Sequence, residues 1–452
     1  MGIDRRMFVG AVAGLAVAPR MVVAQTQSGI TLTAENATMA LVKNSNKTPV
    51  WRFEKNHTVA ILRAKQGQPF EGQIVNMLDK ELWLHWFGVR GDVKAMTINV
   101  LAKTSQIFSF TPPDAGTFWF GPLLHASEQR DRGLYGMLIV EEAVQLPLQD
   151  VPLVVDDWLL DDKSHIVEGF EKLEMAIAEG RMGNWFTANG VFQSKIKVDV
   201  EKPLRLRVLN VANARSIHVL LKDVEAEVLA WDGQPIVPSK LAREALVLAP
   251  GQRADVLIRA PHSDITVELD MPEDVVELAF LVRSGKGPTA TLPTDFKLPG
   301  NPLTVLGDLA AARHIAIVLQ GGAKGGLKSA KLGDKDLDMR GLLEHGLAWA
   351  INGIAGIGGP VLFDAKKGET IVLDIDNQTS FAQPLHLHGH VWQGLEQDGL
   401  PLGAAPWRDT VVVLPLGKMK LAMVCDNVGL WPIQSLIAER SDAGLIGAFS
   451  VV

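Results

Sequence analysis

The stretch KGETIVLDIDN, Lys367–Asn377, is a turn followed by apolar residues at alternate positions and closed by an asparagine. Alternation of period two places one set of side chains on one face of an extended chain, which is the pattern of a β-strand against a core. The same design occurs twice before it, as GQPFEGQIVN ending at Asn76 and VEKPLRLRVLN ending at Asn210. The distances between the three asparagines are domain-sized, longer than the roughly 20 to 50 residues of a solenoid repeat. A second match ties the outer copies together: DAGTFW and GLYGMLIV begin at Asp114 and Gly133, DNVGLW and GLIGAFSV at Asp426 and Gly444. The middle copy carries LAPGQRADVLI from Leu248 instead.

Short alternating runs broken by Gly, Pro, Asn and Asp fill most of the remaining chain. The expected fold is therefore all-β, with three Greek-key sandwich or barrel domains at 25–146, 147–295 and 296–452. The Gly- and Lys-rich segment from Gln320, QGGAKGGLKSAKLGDKD, is expected to be an exposed loop. Asp156, Asp157, Asp161 and Asp162 in VVDDWLLDDK are expected to form an acidic surface stretch.

The first residues read differently from the rest. Arg5 and Arg6 precede an apolar run from Phe8 to Ala18 and a small-residue exit at Val22 and Ala24, the layout of a twin-arginine export signal over residues 1–24. That run is too short to span a bilayer, and no later segment reaches the ~18 uncharged residues a spanning helix needs. A periplasmic protein without a transmembrane segment is expected. The 452-residue chain is acidic, at a net charge of −7, which argues against nucleic acid as a partner. Its one cysteine, Cys425, excludes an intrachain disulfide and sits in an apolar alternation as a core residue would.

Three of the 11 histidines fall in one decapeptide, QPLHLHGHVW, Gln383–Trp392. On a continuous strand His386, His388 and His390 share a face, which is a metal-like spacing. One strand holds no metal alone, and stable sites draw three or four ligands from several elements.

LHWFG at Leu84, AGTFWFGPLLHASEQRDRGLYGMLIVEE at Ala115, QPLHLHGHVW at Gln383, WRDTVVV at Trp407 and WPIQSLIAERSDAGLIGAF at Trp431 resemble, in order, the signature segments of three-domain multicopper oxidases. The resemblance spans nearly the whole chain after the signal. It implies three cupredoxin domains, a blue copper that accepts electrons from a substrate, and a trinuclear copper cluster between the first and third domains that reduces dioxygen.

It also implies eleven Cys and His ligands, and most of those positions are changed. At the blue site Gln383, Ser435 and Arg440 stand where His, Cys and His are expected, with Leu445 at the axial position. Serine offers no thiolate, glutamine is a weak neutral ligand and arginine is a permanent cation. At the binuclear pair the six positions hold Phe87, Gly121, Leu123, His388, Gln434 and Leu436. At the remaining copper both histidines are kept, as His85 and His386. His125, near the changed pair, is read as an ordinary loop histidine.

His85, His386 and His388 leave two readings open. They could hold one copper ion, or they could hydrogen-bond to one another and their neighbours in a buried seam, which alone gives them a use. With the blue position changed, we expect no cofactor, the alternative being one copper ion. The expected function is non-catalytic: a binding or scaffolding protein, monomeric, with a protein partner in the periplasm, as in copper-free members of the family. Two alternatives remain, a copper-binding protein or residual oxidoreductase using the three histidines, and an inactive subunit assembled with an intact paralogue.

Overall fold

Asn76, Asn210 and Asn377 do the same work in three places. Each ends a strand, is fully buried, and lies beyond the reach of solvent. In the computed structural model the Asn76 amide donates to the carbonyls of Lys80 and Val100 while its oxygen accepts from the Leu78 N–H. Asn210 donates to Arg215 and Leu248 and accepts from Ala212. Asn377 donates to Phe381, Val413 and Leu414 and accepts from Thr379. One side chain thus replaces the ladder partners lost where the strand stops and the loop begins.

The surrounding strands repeat as well. Phe70–Asn76 runs parallel to Ile30–Met39 and antiparallel to Ser105–Phe110. Leu204–Asn210 has the same relation to Gln149–Trp158 and Arg253–Ile258, and Glu369–Asn377 to Arg313–Gly321 and Lys418–Cys425. Each triplet belongs to one sheet of a two-sheet unit, with sheets of four and five strands in the first unit, six and five in the second, and seven and five in the third. Strand accounts for 49% of the chain and helix for 6%, so the all-β expectation holds. The structure describes residues 29–53, 59–170, 172–241, 245–403 and 405–452. The expected export signal, 1–24, lies outside them. Among the described residues no helix is long and apolar enough to cross a membrane.

Two local expectations are corrected. The Gly- and Lys-rich segment after Gln320 is not all loop, because Ser329–Leu332 and Lys335–Asp338 pair as a hairpin with Ala330 buried beneath it. Asp156 and Asp157 are buried on the strand Gln149–Trp158, where Asp156 accepts from the Tyr135 hydroxyl at 2.6 Å and Asp157 from the Arg215 Nε at 2.7 Å. The two-sheet unit buries both faces of that strand, so alternation could not tell inside from outside. Cys425 is a core residue as expected, and burial pushes its thiol up to about 12.

The first and third units share one continuous apolar core, running from Leu32 and Trp86 to Leu387, Trp431 and Phe449. The second has its own. Buried arginines stitch the three together. Arg253 of the second donates to the Thr117 carbonyl of the first and to both Asp409 oxygens of the third. Arg130 of the first donates to the carbonyls of Asn213 and Leu436.

Candidate functional site

The strand Leu82–Phe87 is buried along its whole length and places His85 opposite Gly121 on one side and Thr97 on the other. The strand Gln383–Leu387 places His386 opposite Thr410 and Gln434. The shared core of the first and third units brings the two strands face to face. The His85 and His388 rings come to 4.4 Å between centroids, as do those of His386 and His388. All three side chains are buried.

The protons on these rings can be assigned from their neighbours. Thr410 Oγ1 donates to Asp409 Oδ1 at 2.7 Å, so its single proton is committed. His386 Nδ1, 2.9 Å from Thr410 Oγ1, must therefore be the donor, and in the neutral ring Nε2 is then the lone-pair nitrogen. His388 Nδ1 meets His85 Nε2 at 2.7 Å, and His85 Nδ1 meets Thr97 Oγ1 at 2.7 Å. A consistent set has every Nδ1 protonated and every Nε2 unprotonated. His386 Nε2 and His388 Nε2 are both buried and without a hydrogen-bond partner. Burial, reinforced by neighbouring histidines, drives the His85 and His388 pKa values well below the ordinary imidazole value, so both rings are neutral.

His390 does not join them. The strand ends at Leu387, and Gly389 turns the chain at a φ of 68°. His390 instead packs against Trp431 and Phe449, and its Nδ1 lies 3.1 Å from the His388 carbonyl. The expectation of three histidines on one strand face assumed a strand three residues too long. His125 caps the short helix Ala126–Asp131 in a left-handed conformation, half-buried.

The other positions around the histidines are occupied by apolar groups, Gln434 excepted. Phe87 stacks on Trp119 at 3.8 Å between ring centroids and stands 5.5 Å from the His388 ring. Leu436 packs in the same cluster as Phe87 and Trp119, and Leu123 packs with Trp83 and Leu124. Gly121 sits in the ladder opposite His85 with the Trp119 ring close over it. Gln434 lies across the ladder from His386 and beside His388.

Gln383, Ser435 and Arg440 form a second cluster, at the start of the strand that carries His386. Arg440 Nη1 donates to Gln383 Oε1 at 3.0 Å and to the Ala382 carbonyl at 2.7 Å, and Nη2 donates to the Ala178 carbonyl at 2.9 Å. The Ser435 hydroxyl adds a contact to Gln383 Oε1 at 3.3 Å. The guanidinium lies against the faces of Trp349 and Phe381, 5.2 and 4.8 Å from their centroids. Burial pulls its pKa down to about 10, and the nearest carboxylate, exposed Glu179, is 3.9 Å away. Leu445 is fully buried in the adjoining core.

Several residues that set this geometry were not read as functional from the sequence. Asp409 receives a two-pronged donation from Arg253 at 2.9 and 2.6 Å, and lies 3.3 Å from His386 Nδ1. Burial opposes its charge, but Arg253 and then His386 hold its pKa below the usual carboxylate range. Gly88 is needed beside them: its φ is 82°, and a Cβ there would meet Arg253 Nη2 and Asp409 Oδ2. Asp409 was visible in WRDTVVV, but its pairing depends on a register that only the fold supplies. Thr97 and Thr410 gave no signal, since threonine is a common strand residue.

Tested for copper, the two clusters differ. At Gln383, Ser435 and Arg440 the donor set is a neutral amide, a hydroxyl and a cation already hydrogen-bonded to carbonyls, which does not fit a soft or cationic metal. At the histidines the chemistry fits, with bare, buried Nε2 atoms oriented by hydrogen bonds from the opposite ring nitrogen. The geometry is closed by the contact between His85 and His388. Among the described residues no group of three His, Cys, Asp or Glu side chains stands arranged for a metal ion.

Multicopper oxidase family models match residues 34–145, 149–267 and 339–452. The chain is 25% identical to the multicopper oxidase MmcO of Mycobacterium tuberculosis over 414 residues, 82% of this chain and 77% of that one. It is 24% identical to the cell division protein FtsP of Haemophilus influenzae over 262 residues, 55% of this chain and 54% of that one. A solved multi-copper oxidase from Pseudomonas thermotolerans superposes with a TM-score of 0.80 at 25% identity, covering 94% of this chain and 100% of that one. These matches overturn the expectation of no cofactor, because the family models and the oxidase relatives are copper proteins by name. Three matching models in chain order, over three cupredoxin-like units joined in one shell, show that this chain belongs to the multicopper oxidase family.

Proposed function

We propose that this protein acts by binding rather than by reducing dioxygen, and that its copper chemistry is confined to His85, His386 and His388. The observation that carries the reading is Arg440. A buried guanidinium bonded to Gln383 and two carbonyls occupies the position where the family resemblance expects copper to receive electrons. Without a redox centre there, electrons have no entry to the histidines. Gln383 and Ser435 add nothing that would replace it.

One copper ion suits the histidines. His85, His386 and His388 would hold it through Nε2 atoms, with Thr97 and Thr410 fixing the first two rings. Binding requires the His85 to His388 contact to open. The ion would supply a Lewis-acidic or single-electron centre, with Phe87, Leu436 and Trp119 packed as an apolar cluster beside it.

The FtsP relatives support a binding role in the cell envelope, reached by twin-arginine export, with a protein as partner. Two results on purified full-length protein would overturn this reading: an absorption band in the blue-copper region after copper loading, or oxygen uptake with phenolic donors. The expected result is neither, with at most one copper per chain by elemental analysis and none in His386→Ala.

A further inference from the structure

A cavity of 720 Å³ opens between the first and third units, with His85 in its lining. It is separate from the Arg440 cluster and shares no residue with the cavity that borders Arg440. Trp83, Val93, Leu430 and Trp431 give it apolar walls, and its volume admits a small aromatic molecule.

Its polar lining is unevenly satisfied. Asp92 accepts from the backbone of Lys94 at 2.9 Å, and Asp426 accepts from Thr304 at 2.7 Å and from Arg90 at 3.3 Å. Asp426 is thus paired with a cation, and Asp92 caps the first turn of the short helix Val93–Met96. Lys94 and Lys367 are exposed at the cavity and make no ion pair among the described residues. The Asn99 side-chain amide, also in the lining, makes no hydrogen bond among the described residues, and its Oδ1 is buried without a partner. Two free ammonium groups, an unpaired amide and apolar walls together describe a ligand with a flat ring, an anionic end and a neutral polar end.

We propose that this cavity binds an aromatic carboxylate carrying a ring hydroxyl, with the carboxylate toward Lys94 and Lys367 and the hydroxyl on Asn99. Inorganic phosphate would leave the apolar walls empty. A ring without charge would leave the ammonium groups unanswered. Ligand in this position abuts His85 from the solvent side and does not require a metal.

The test is calorimetric titration of the full-length protein with 4-hydroxybenzoate, with benzoate and 4-hydroxybenzyl alcohol as comparison probes. Saturable binding of 4-hydroxybenzoate is expected, with quenching of tryptophan emission and at least about tenfold tighter than either probe, since each lacks one polar contact. The double variant Lys94→Ala, Lys367→Ala is expected to lose that margin for 4-hydroxybenzoate while leaving 4-hydroxybenzyl alcohol unchanged. Asn99→Leu is expected to weaken 4-hydroxybenzoate and spare benzoate. These substitutions lie on an exposed or half-buried wall, so the fold tolerates them. No saturable heat with any probe, or equal affinity in the double lysine variant, overturns the inference. An oxygen electrode on the same sample reads the proposed function separately: oxygen uptake sinks that reading and leaves the binding result standing.

Discussion

One short strand, Gln383–Leu387, carries two polar clusters that differ in how the chain satisfies them. At its start, the Gln383 amide oxygen accepts from Arg440 and Ser435, and the guanidinium reaches a carbonyl of the second unit as well. Near its end, His386 Nε2 and the adjacent His388 Nε2 are buried without a hydrogen-bond partner. The first cluster is a structural joint held by three guanidinium hydrogen bonds, with Arg440 Nε left without a partner. The second keeps lone pairs in the interior that the fold does not use, at the cost of about 1 to 3 kcal/mol for each unsatisfied buried group. The difference, within one strand, is between an amide oxygen that the chain's own donors saturate and ring nitrogens that they do not.

The largest effect is expected at the Arg440 joint. Arg440→Ala removes three hydrogen bonds and two aromatic contacts and leaves buried carbonyls unpaired, and should cost about 3 to 5 kcal/mol in urea unfolding. A loss below about 1 kcal/mol would mean that the cluster is not structural. Asp409→Asn leaves the buried Arg253 guanidinium half-answered and frees the His386 ring. A loss of about 3 kcal/mol is expected, together with a fall in copper affinity of about 10 to 100-fold.

Copper itself sharpens the contrast. At a hundred times its Kd it should raise the unfolding free energy of the parent by about 2.7 kcal/mol and that of His386→Ala by nothing. Equal stabilisation of both would place the metal elsewhere. The smallest effect belongs to Thr410→Val, which removes the acceptor for His386 Nδ1. It should cost about 1 kcal/mol and weaken copper about tenfold in a competition assay with a chelator.

Much of this architecture was legible because it repeats. The asparagine that closes each signature strand could be seen three times in the sequence, and in each unit it has the same bonding. The candidate site was legible as residue types, since His85, His386 and His388 could be named and Gln383, Ser435 and Arg440 could be matched to the family pattern. What they do to one another was not. Arg440 reaches Ala178 across more than half the chain, and a one-dimensional pattern holds no trace of that pairing. His390 was misplaced because alternation does not reveal where a strand ends, and Gly389 was the residue that could have signalled it. Asp156 and Asp157 were misplaced for the complementary reason: a strand covered on both faces has no polar side to advertise.

The Arg440 joint has a consequence for how the molecule is made. It links Ala178 in the second unit to Ala382 and Gln383 in the third through atoms that are part of the chain from the moment of synthesis. A metal at a domain junction must be delivered, and a chelator can take it away again. A guanidinium is neither supplied nor stripped, and it keeps its charge across the physiological range. This junction can therefore close during folding in a compartment starved of copper, and it stays closed when the supply changes.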